Sequence, residues 1–218
     1  MRSEVSNDTI RYIEDLFAVE DELLKSVREE CEKLGRGGVQ IRAFEGRLLQ
    51  VLMRMIGSKN VLEIGMFLGY STIWMARALP ENGVIYTLEK EEAHVSRARD
   101  FFARGNLTEK INIVKGDARE SLRDIESFSP FDFIFIDANK GAYAEYLQWA
   151  MGNLRSGGVI VADNTLLFGK VMSATRPEGV SQAQWENMRA FNQRLALSLE
   201  FTSILVPTDE GLTVAVKI

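Results

Sequence analysis

The chain has 218 residues, of which 46% are hydrophobic and 26% charged, as expected for one soluble globular domain with a substantial core. A formal net charge of −5 argues against a broad nucleic-acid-binding surface but leaves room for a small basic patch. The single cysteine, Cys31, rules out an intramolecular disulfide, and no apolar run approaches the ~20 residues of a membrane span. With no signal-peptide core either, we expect a cytoplasmic protein.

The first part of the chain predicts helices. Apolar residues recur at helical spacing from Thr9 to about Leu34. The glycine-rich stretch GRGG then breaks this helix, and a second helical pattern runs from about Ala43 to Met55. We therefore expect residues 1–58 to form N-terminal helices that pack on the rest of the domain.

From Asn60 onward, short apolar runs alternate with amphipathic segments. The runs are NVLEIG, GVIYTLE, INIVKGD, FDFIFID and GGVIVADN. This alternation predicts a parallel sheet with helices on both faces. Near the C-terminus, FTSILVP and LTVAVKI are joined by the turn TDEG, which predicts an antiparallel hairpin. The expected fold is a single doubly wound α/β domain over residues 1–218, with residues 59–218 as its core.

Every one of these five predicted strands ends in an acidic residue. The positions are Glu63, Glu89, Asp117, Asp137 and the pair Asp163–Asn164. Ligands of open α/β sheets bind beyond the carboxyl ends of the strands. Any single acid there is readily explained as a helix cap or a solvated loop residue, whereas five in succession favour a ligand site.

The loop after the first strand, EIGMFLGYS, has glycines at Gly65 and Gly69 that permit a tight turn and close approach of a ligand. It matches neither the dinucleotide motif GxGxxG nor a phosphate-binding P-loop, so alone it is a weak sign of a nucleoside site. Glu89 is placed to accept hydrogen bonds from ribose hydroxyls, and Asp117 from an adenine amino group. Because the turn contains no basic residue, a ligand without phosphate, such as S-adenosylmethionine, fits best.

Three stretches, VLEIGMFLGYSTIWMARALP, FIFIDANKGAYAEY and GGVIVADNTLLFGKV, together resemble the class I S-adenosylmethionine-dependent O-methyltransferases. The resemblance extends over nearly the whole chain and is strongest to the cation-dependent group of catechol and caffeoyl-coenzyme A O-methyltransferases. It implies a mostly parallel, Rossmann-like sheet of seven strands. It also implies a set of cofactor-binding residues, namely Ile41, Glu63, Gly65, Phe67, Ser71, Glu89, Asp117, Ala118 and Asp137. One position departs from the family: Arg42 stands where a serine is more common, which bears on substrate preference.

The fourth and fifth strands are expected to be neighbours, so Asp137 should lie ~5 Å from the Asp163–Asn164 pair. Two carboxylates and an amide are hard oxygen ligands suited to Mg²⁺, with Mn²⁺ or Ca²⁺ as substitutes. The resemblance implies the same metal ligands. The alternative for Asp163–Asn164 alone is a simple Asx turn.

Lys140 follows Asp137 by three residues. A lysine that is partly desolvated beside a dication has a lowered pKa and is suited to take the proton from a phenol. The resemblance also assigns the catalytic base to Lys140. The alternative is a lysine that merely pairs with Asp137 or lies in solvent.

Several further expectations concern specificity. His94 is predicted to be a surface residue of its helix, and the long connection after Asn164 to shape the acceptor pocket. By resemblance, Asn192 lies near the metal. The acceptor is expected to be a catechol-like or hydroxycinnamoyl small molecule, and the protein a homodimer.

Two other functions stay open. The acceptor is alternatively a hydroxylated tRNA base, for which a group of Lys170, Arg176 and Arg42 at the site's mouth would be the sign. A non-catalytic nucleoside-binding or regulatory protein would lack the metal or base residues, and all of these are present.

Overall fold

The computed structural model describes residues 6–218, so the first five residues of the predicted N-terminal region lie outside the described residues. The helices are α1 (Asn7–Phe17), α2 (Glu22–Lys33), α3 (Ala43–Met55), α4 (Tyr70–Ala76), α5 (Glu92–Arg104), α6 (Ala118–Asp124), α7 (Tyr143–Asn153) and α8 (Gln182–Ala196). The strands are β1 (Asn60–Ile64), β2 (Val84–Glu89), β3 (Ile111–Lys115), β4 (Phe131–Ile136), β5 (Leu154–Ala162), β6 (Phe201–Val206) and β7 (Leu212–Lys217). None of the helices in this part of the chain has both the length and the apolar character to cross a membrane.

The strands form one sheet in the order β3-β2-β1-β4-β5-β7-β6. Strands β1 to β5 pair in parallel, whereas β7 is antiparallel to both β5 and β6. This arrangement confirms the predicted doubly wound sheet with a C-terminal hairpin. The strand order reverses between β1 and β4, so the switch point, where such sheets bind ligands, lies between these two strands.

Both faces of the sheet are buried, which explains why its central strands are almost continuously apolar. Successive side chains of β4 point to opposite faces. Phe133 and Phe135 join the apolar cluster beneath α2 to α5, and Ile134 and Ile136 join the cluster beneath α6 to α8. The site at the strand ends thus rests on a rigid, fully covered support.

The predicted single helix from Thr9 to Leu34 is wrong, because the structure has two helices there. The chain leaves the helical conformation at Ala18, where φ is −134°. Asp21 then caps α2 by accepting a hydrogen bond from the Leu24 amide at 3.1 Å. A capping side chain competes with the continuous helix for backbone donors, and apolar spacing does not register this competition.

Candidate active site

The predicted acidic residues lie along the carboxyl edge of the sheet, with two differences from the prediction. Glu63 lies inside β1, one residue before its end. Asp117 lies two residues beyond β3 and caps α6, accepting a hydrogen bond from the Arg119 amide at 3.0 Å. Only Glu89 is itself the last residue of its strand.

Glu63 is completely buried and forms the base of the loop after β1. Its carboxylate accepts hydrogen bonds from the hydroxyls of Ser71 (2.5 Å), Thr72 (2.5 Å) and Thr87 (2.6 Å). Burial raises the pKa of Glu63 to about 7 in spite of these donors. The cluster ties β1, β2 and the first turn of α4 together beneath the loop.

Gly65 is required in that loop. Its φ is +104°, and a Cβ atom there would overlap the carbonyl oxygen of Asp137. The glycine therefore lets the ends of β1 and β4 approach closely at the switch point.

The carboxylate of Glu89 is held by three donors. It accepts hydrogen bonds from the amides of Phe67 (2.8 Å) and Glu91 (2.9 Å), and its Oε1 lies 3.2 Å from Nδ1 of His94. The His94 ring also meets the Phe67 ring edge-on, with 4.7 Å between centroids. The prediction that His94 is an ordinary surface residue is wrong, because the loop after β1 folds against the first turn of α5.

Two adjoining cavities of about 410 and 250 Å³ open at this edge, and we call them together the cofactor cavity. The predicted cofactor residues line it with the exception of Glu63, which lies beneath the loop: Ile41, Gly65, Phe67, Ser71, Glu89, Asp117, Ala118 and Asp137. His94 lines it as well. A carboxylate in the middle, a glycine turn beside it and no basic side chain within that turn suit a nucleoside with an amino-acid tail.

A further cavity of about 270 Å³, the side cavity, lies between the α2–α3 connection and the β6–β7 turn. Its buried floor contains Ile41, Glu45 and Asp163, and its exposed rim includes Val39 and Asp209. None of the residues in the connection after Asn164 lines this cavity, and the expectation that the connection shapes the acceptor pocket stays a prediction. That connection instead braces the turn through hydrogen bonds to the carbonyls of residues 210 and 211.

The cofactor cavity and the side cavity adjoin and share Val39, Gln40 and Ile41 as lining. Asp137 lines the cofactor cavity and Asp163 the side cavity, and the two follow paired residues of adjacent strands. Burial, together with the negative charges of Asp137 and Glu45, raises the pKa of Asp163 to about 8. Asn164 is buried next to Asp163, and its backbone N–H donates a hydrogen bond to Oδ1 of Asp163 at 2.7 Å. Among residues 6–218 no three His, Cys, Asp or Glu side chains gather as a metal centre, so the candidate set is two carboxylates and one amide.

Asn192 of α8 contacts the residue that follows Asn164. Its Nδ2 donates to the carbonyl of Thr165, the residue after Asn164, at 2.8 Å. Its Oδ1 is buried and has no hydrogen-bond partner among the described residues. A buried carbonyl oxygen without a donor is unusual and is a possible ligand for a cation or water, and the place of Asn192 near a metal stays a prediction.

Lys140 forms an ion pair with Asp137, with 2.7 Å between Nζ and Oδ1. Burial favours the neutral amine, but Asp137 and Tyr143 together outweigh burial and raise the pKa of Lys140 above its usual value. The lowered pKa was predicted for a lysine beside a bound dication, and it stays a prediction. The ammonium group also lies 5.3 Å from the ring centroid of Tyr143, whose hydroxyl donates to the Asp163 carbonyl at 2.9 Å.

A protein-family model described as O-methyltransferase matches residues 14–218. The chain belongs to the O-methyltransferase family. Over 197 residues it is 39% identical to a catechol O-methyltransferase of Niastella koreensis, covering 89% of this chain and 87% of that one. Over 210 residues it is 30% identical to a caffeoyl-CoA O-methyltransferase of Populus kitakamiensis, covering 93% and 89%.

Solved structures agree with this assignment. An O-methyltransferase of Bacillus cereus in complex with SAH superposes with a TM-score of 0.85 at 32% identity, covering 95% of this chain and 96% of that one. TomG, an O-methyltransferase of tomaymycin synthesis from Streptomyces achromogenes in complex with SAM, gives 0.88 at 32% identity, covering 97% and 96%. The protein is thus an S-adenosylmethionine-dependent O-methyltransferase of the catechol and caffeoyl-CoA type, and the predicted family is confirmed.

For this O-methyltransferase, the predicted sign of an RNA acceptor does not form. Lys170 and Arg176 donate to backbone carbonyls within their own connection and line neither cavity. Arg42 does line the side cavity, but it is paired with Asp209 and Glu14. The basic group that would meet a phosphate backbone is therefore not assembled here.

Sequence reasoning missed most of the side cavity. Arg28, Gln40, Glu45 and the β6–β7 turn carry no motif that marks them as site residues. Three lining residues were named from the sequence: Ile41 and Asp163 for other roles, and Arg42 for its departure from the related sequences. The cavity forms only because the α2–α3 connection and the β6–β7 turn fold over the same strand ends.

Proposed function

We propose that this O-methyltransferase transfers a methyl group to one hydroxyl of a catechol-like or hydroxycinnamoyl small molecule in the side cavity, with a divalent cation at Asp137, Asp163 and Asn164. The observation that carries the proposal is that the cofactor cavity and the side cavity adjoin, and that Asp137 lines the first while Asp163, from the neighbouring strand, lines the second. The printed names of the relatives, catechol and caffeoyl-CoA O-methyltransferase, point to acceptors of this kind.

In the cofactor cavity we assign the ribose to Glu89 and the adenine to Asp117 and Ala118. The Glu89 carboxylate is already oriented by its backbone donors, so its remaining lone pairs are available to ribose hydroxyls. Ser71 and Ile41 lie on the other side of the loop and face the amino-acid tail. These residues would hold S-adenosylmethionine, which would supply the methyl group for the acceptor in the adjoining side cavity.

The residues that follow β4 and β5, namely Asp137, Asp163 and Asn164, are suited to bind a hard dication. Two carboxylates and an amide supply three oxygens of the type that Mg²⁺ binds, with Mn²⁺ and Ca²⁺ as alternatives. Burial and the charge of the neighbouring Asp137 raise the pKa of Asp163, and a cation would relieve the repulsion between the two carboxylates. When bound, such an ion stabilises an ionised acceptor oxygen.

Lys140 is the proposed base, and Nζ is the atom that receives the hydroxyl proton. Its pKa is held up by Asp137 and Tyr143, so the amine becomes neutral more readily once the Asp137 carboxylate is engaged elsewhere. Burial then favours the uncharged amine. The walls of the two cavities hold the acceptor oxygen and the methyl group in line, and positioning supplies much of the rate.

We also infer that residues 1–218 act as one domain, with 1–58 as N-terminal helices and 59–218 as the cofactor-binding core, and that the protein is a homodimer. Helix α1 has no buried residue and exposes Tyr12, Leu16 and Phe17 by 58–66%. An apolar helix face of this kind is suited to an interface between copies. A monomer in light scattering at micromolar concentration would contradict the dimer.

The test is methyl transfer from labelled S-adenosylmethionine to catechol with Mg²⁺, then with EDTA, then with Mg²⁺ restored. We expect activity to disappear with EDTA and to return with Mg²⁺. Asp163→Asn should remove most Mg²⁺-stimulated activity, whereas Asp124→Asn, at an exposed position of α6, should not. Activity that ignores EDTA would refute the cation site, and no transfer to any catechol would refute the acceptor class.

A further inference from the structure

We propose that the ion pair between Arg42 and Asp209 is a strap across the mouth of the side cavity that selects methyl acceptors by length. Compact catechols fit beneath the closed strap, whereas a catechol with a long substituent must hold it open. The inference rests on the proposed function, because it takes the side cavity as the acceptor site.

The strap joins two separate parts of the chain. Arg42 Nη1 lies 2.9 Å from Asp209 Oδ2, and the two residues are 167 positions apart in sequence. Arg42 caps α3, and its amide donates to Glu45 Oε2 at 2.8 Å, so the start of its side chain is fixed. Asp209 lies in the β6–β7 turn, which is closed by a hydrogen bond from the Gly211 amide to the Thr208 carbonyl at 3.2 Å.

The pair lies at the solvent end of the side cavity. The floor residues Ile41, Glu45 and Asp163 are at most 5% exposed, whereas the side chains of Arg42 and Asp209 are 32% and 70% exposed. Both members of the pair line the cavity, one from each wall. A substituent that extends from an acceptor at Asp163 toward solvent therefore meets this pair.

A purely structural role does not account for the pair well. Exposed ion pairs contribute little to stability because water and salt screen them. Such a pair opens readily, so it does not prevent compact acceptors from entering. The ion pair weakens the binding of long acceptors, because a bound long acceptor keeps Arg42 and Asp209 apart. Each such complex therefore loses the free energy of the ion pair.

Arg42 has a second partner that must be separated from the strap. Its Nε lies 3.4 Å from Glu14 Oε1 of α1, so replacing Arg42 also loosens α1. The chain offers a matched control in Arg47, which donates to the carbonyl of Phe17 at the end of α1 at 2.7 Å and does not line the side cavity. Replacing Arg47 or Glu14 disturbs α1 but leaves the ion pair between Arg42 and Asp209 in place.

The experiment measures dissociation constants by calorimetry, with S-adenosylhomocysteine and Mg²⁺ present, for two neutral ligands: catechol and phenethyl caffeate. The quantity compared is the ratio of the Kd for phenethyl caffeate to the Kd for catechol. We expect Arg42→Ser and Asp209→Ala each to lower this ratio by about fivefold, which is about 1 kcal/mol at 1.4 kcal/mol per factor of ten. The double variant should gain no more than either single one. Arg42→Lys should restore the wild-type ratio, and Arg47→Ser and Glu14→Ala should keep it.

An unchanged ratio in both Arg42→Ser and Asp209→Ala overturns the strap, as does an equal change in Arg47→Ser. Because binding is measured without turnover, the two proposals fail separately. A wild-type protein that shows the expected ratios but methylates neither ligand refutes the proposed function and supports the strap. If the wild type methylates catechol but the ratio of Kd values is the same in Arg42→Ser and Asp209→Ala, the strap alone is refuted. If neither the wild type nor any variant binds either ligand, both proposals are refuted.

Discussion

Glu63→Gln tests the buried carboxylate beneath the cofactor loop. Glu63 is fully buried, and three hydroxyls donate to it. Glutamine has nearly the same size and keeps one acceptor oxygen, but it carries no charge. The substitution therefore removes the ionisation of this group while leaving the packing around it almost unchanged.

The expected effect follows from linkage between protonation and folding. Burial raises the pKa of Glu63 from 4.5 to about 7 in the folded protein, so the folded state holds a proton that the unfolded chain releases. The stability that this group contributes is present below pH 4.5 and is lost as pH rises through 7. Between pH 5 and pH 8 the loss is about 2 to 3 kcal/mol, taking ~1.4 kcal/mol per pH unit over the part of the interval between the two pKa values that lies above pH 5.

The assay is urea denaturation of both proteins at pH 5, 6.5 and 8, analysed by linear extrapolation. We expect the difference in unfolding free energy, variant minus wild type, to rise by about 2 to 3 kcal/mol from pH 5 to pH 8. Other titrating groups, including Asp163, are present in both proteins and cancel. Glu109→Gln, at an exposed position, is the control and should show no such trend. A difference that stays constant across these pH values would refute the reasoning.

Three further predictions concern the site. Lys140→Met should lower kcat by at least about 100-fold, because no atom is left to take the hydroxyl proton, while the calorimetric affinity for S-adenosylmethionine stays close to wild type; a kcat within about fivefold of wild type would contradict the base. Gly65→Ala should abolish cofactor binding and lower Tm more than Gly57→Ala, since both glycines have positive φ but only Gly65 has no room for a Cβ atom; equal shifts in Tm would contradict this. His94→Phe keeps an aromatic ring in the cavity wall but loses the contact to the carboxylate at the end of β2, so the Kd for S-adenosylmethionine should rise about threefold to tenfold, and an unchanged Kd would show that His94 only fills space.

Local sequence patterns predicted most of the helices and strands. The boundaries of α3 match the prediction, and each predicted strand from Asn60 onward is present, because apolar periodicity reflects the burial of strand and helix faces. The helix predicted from Thr9 to Leu34 failed at Ala18 to Asp21. The apolar spacing continues across that break, and only the cap at Asp21 reveals it.

The site was predicted less evenly. Residues in known motifs, such as Gly65 and Glu89, line the cofactor cavity as expected. His94 was assigned to the helix surface, and nothing local records that the loop after β1 packs against its ring. The ion pair between Lys140 and Asp137 was weighed only as an alternative, because the distance between their side chains depends on how the chain turns after β4.

The sequence by itself determined that strands and helices alternate and that acidic residues come at the strand ends. Both properties are periodic and local, and parallel strands necessarily bring their carboxyl ends to one edge. Only the tertiary structure decided which of those acids are buried beneath the loop, which face a cavity and which are paired. Burial and pairing depend on residues far apart in the chain, as the contact between Arg42 and Asp209 across 167 positions shows, and no local pattern encodes such distances.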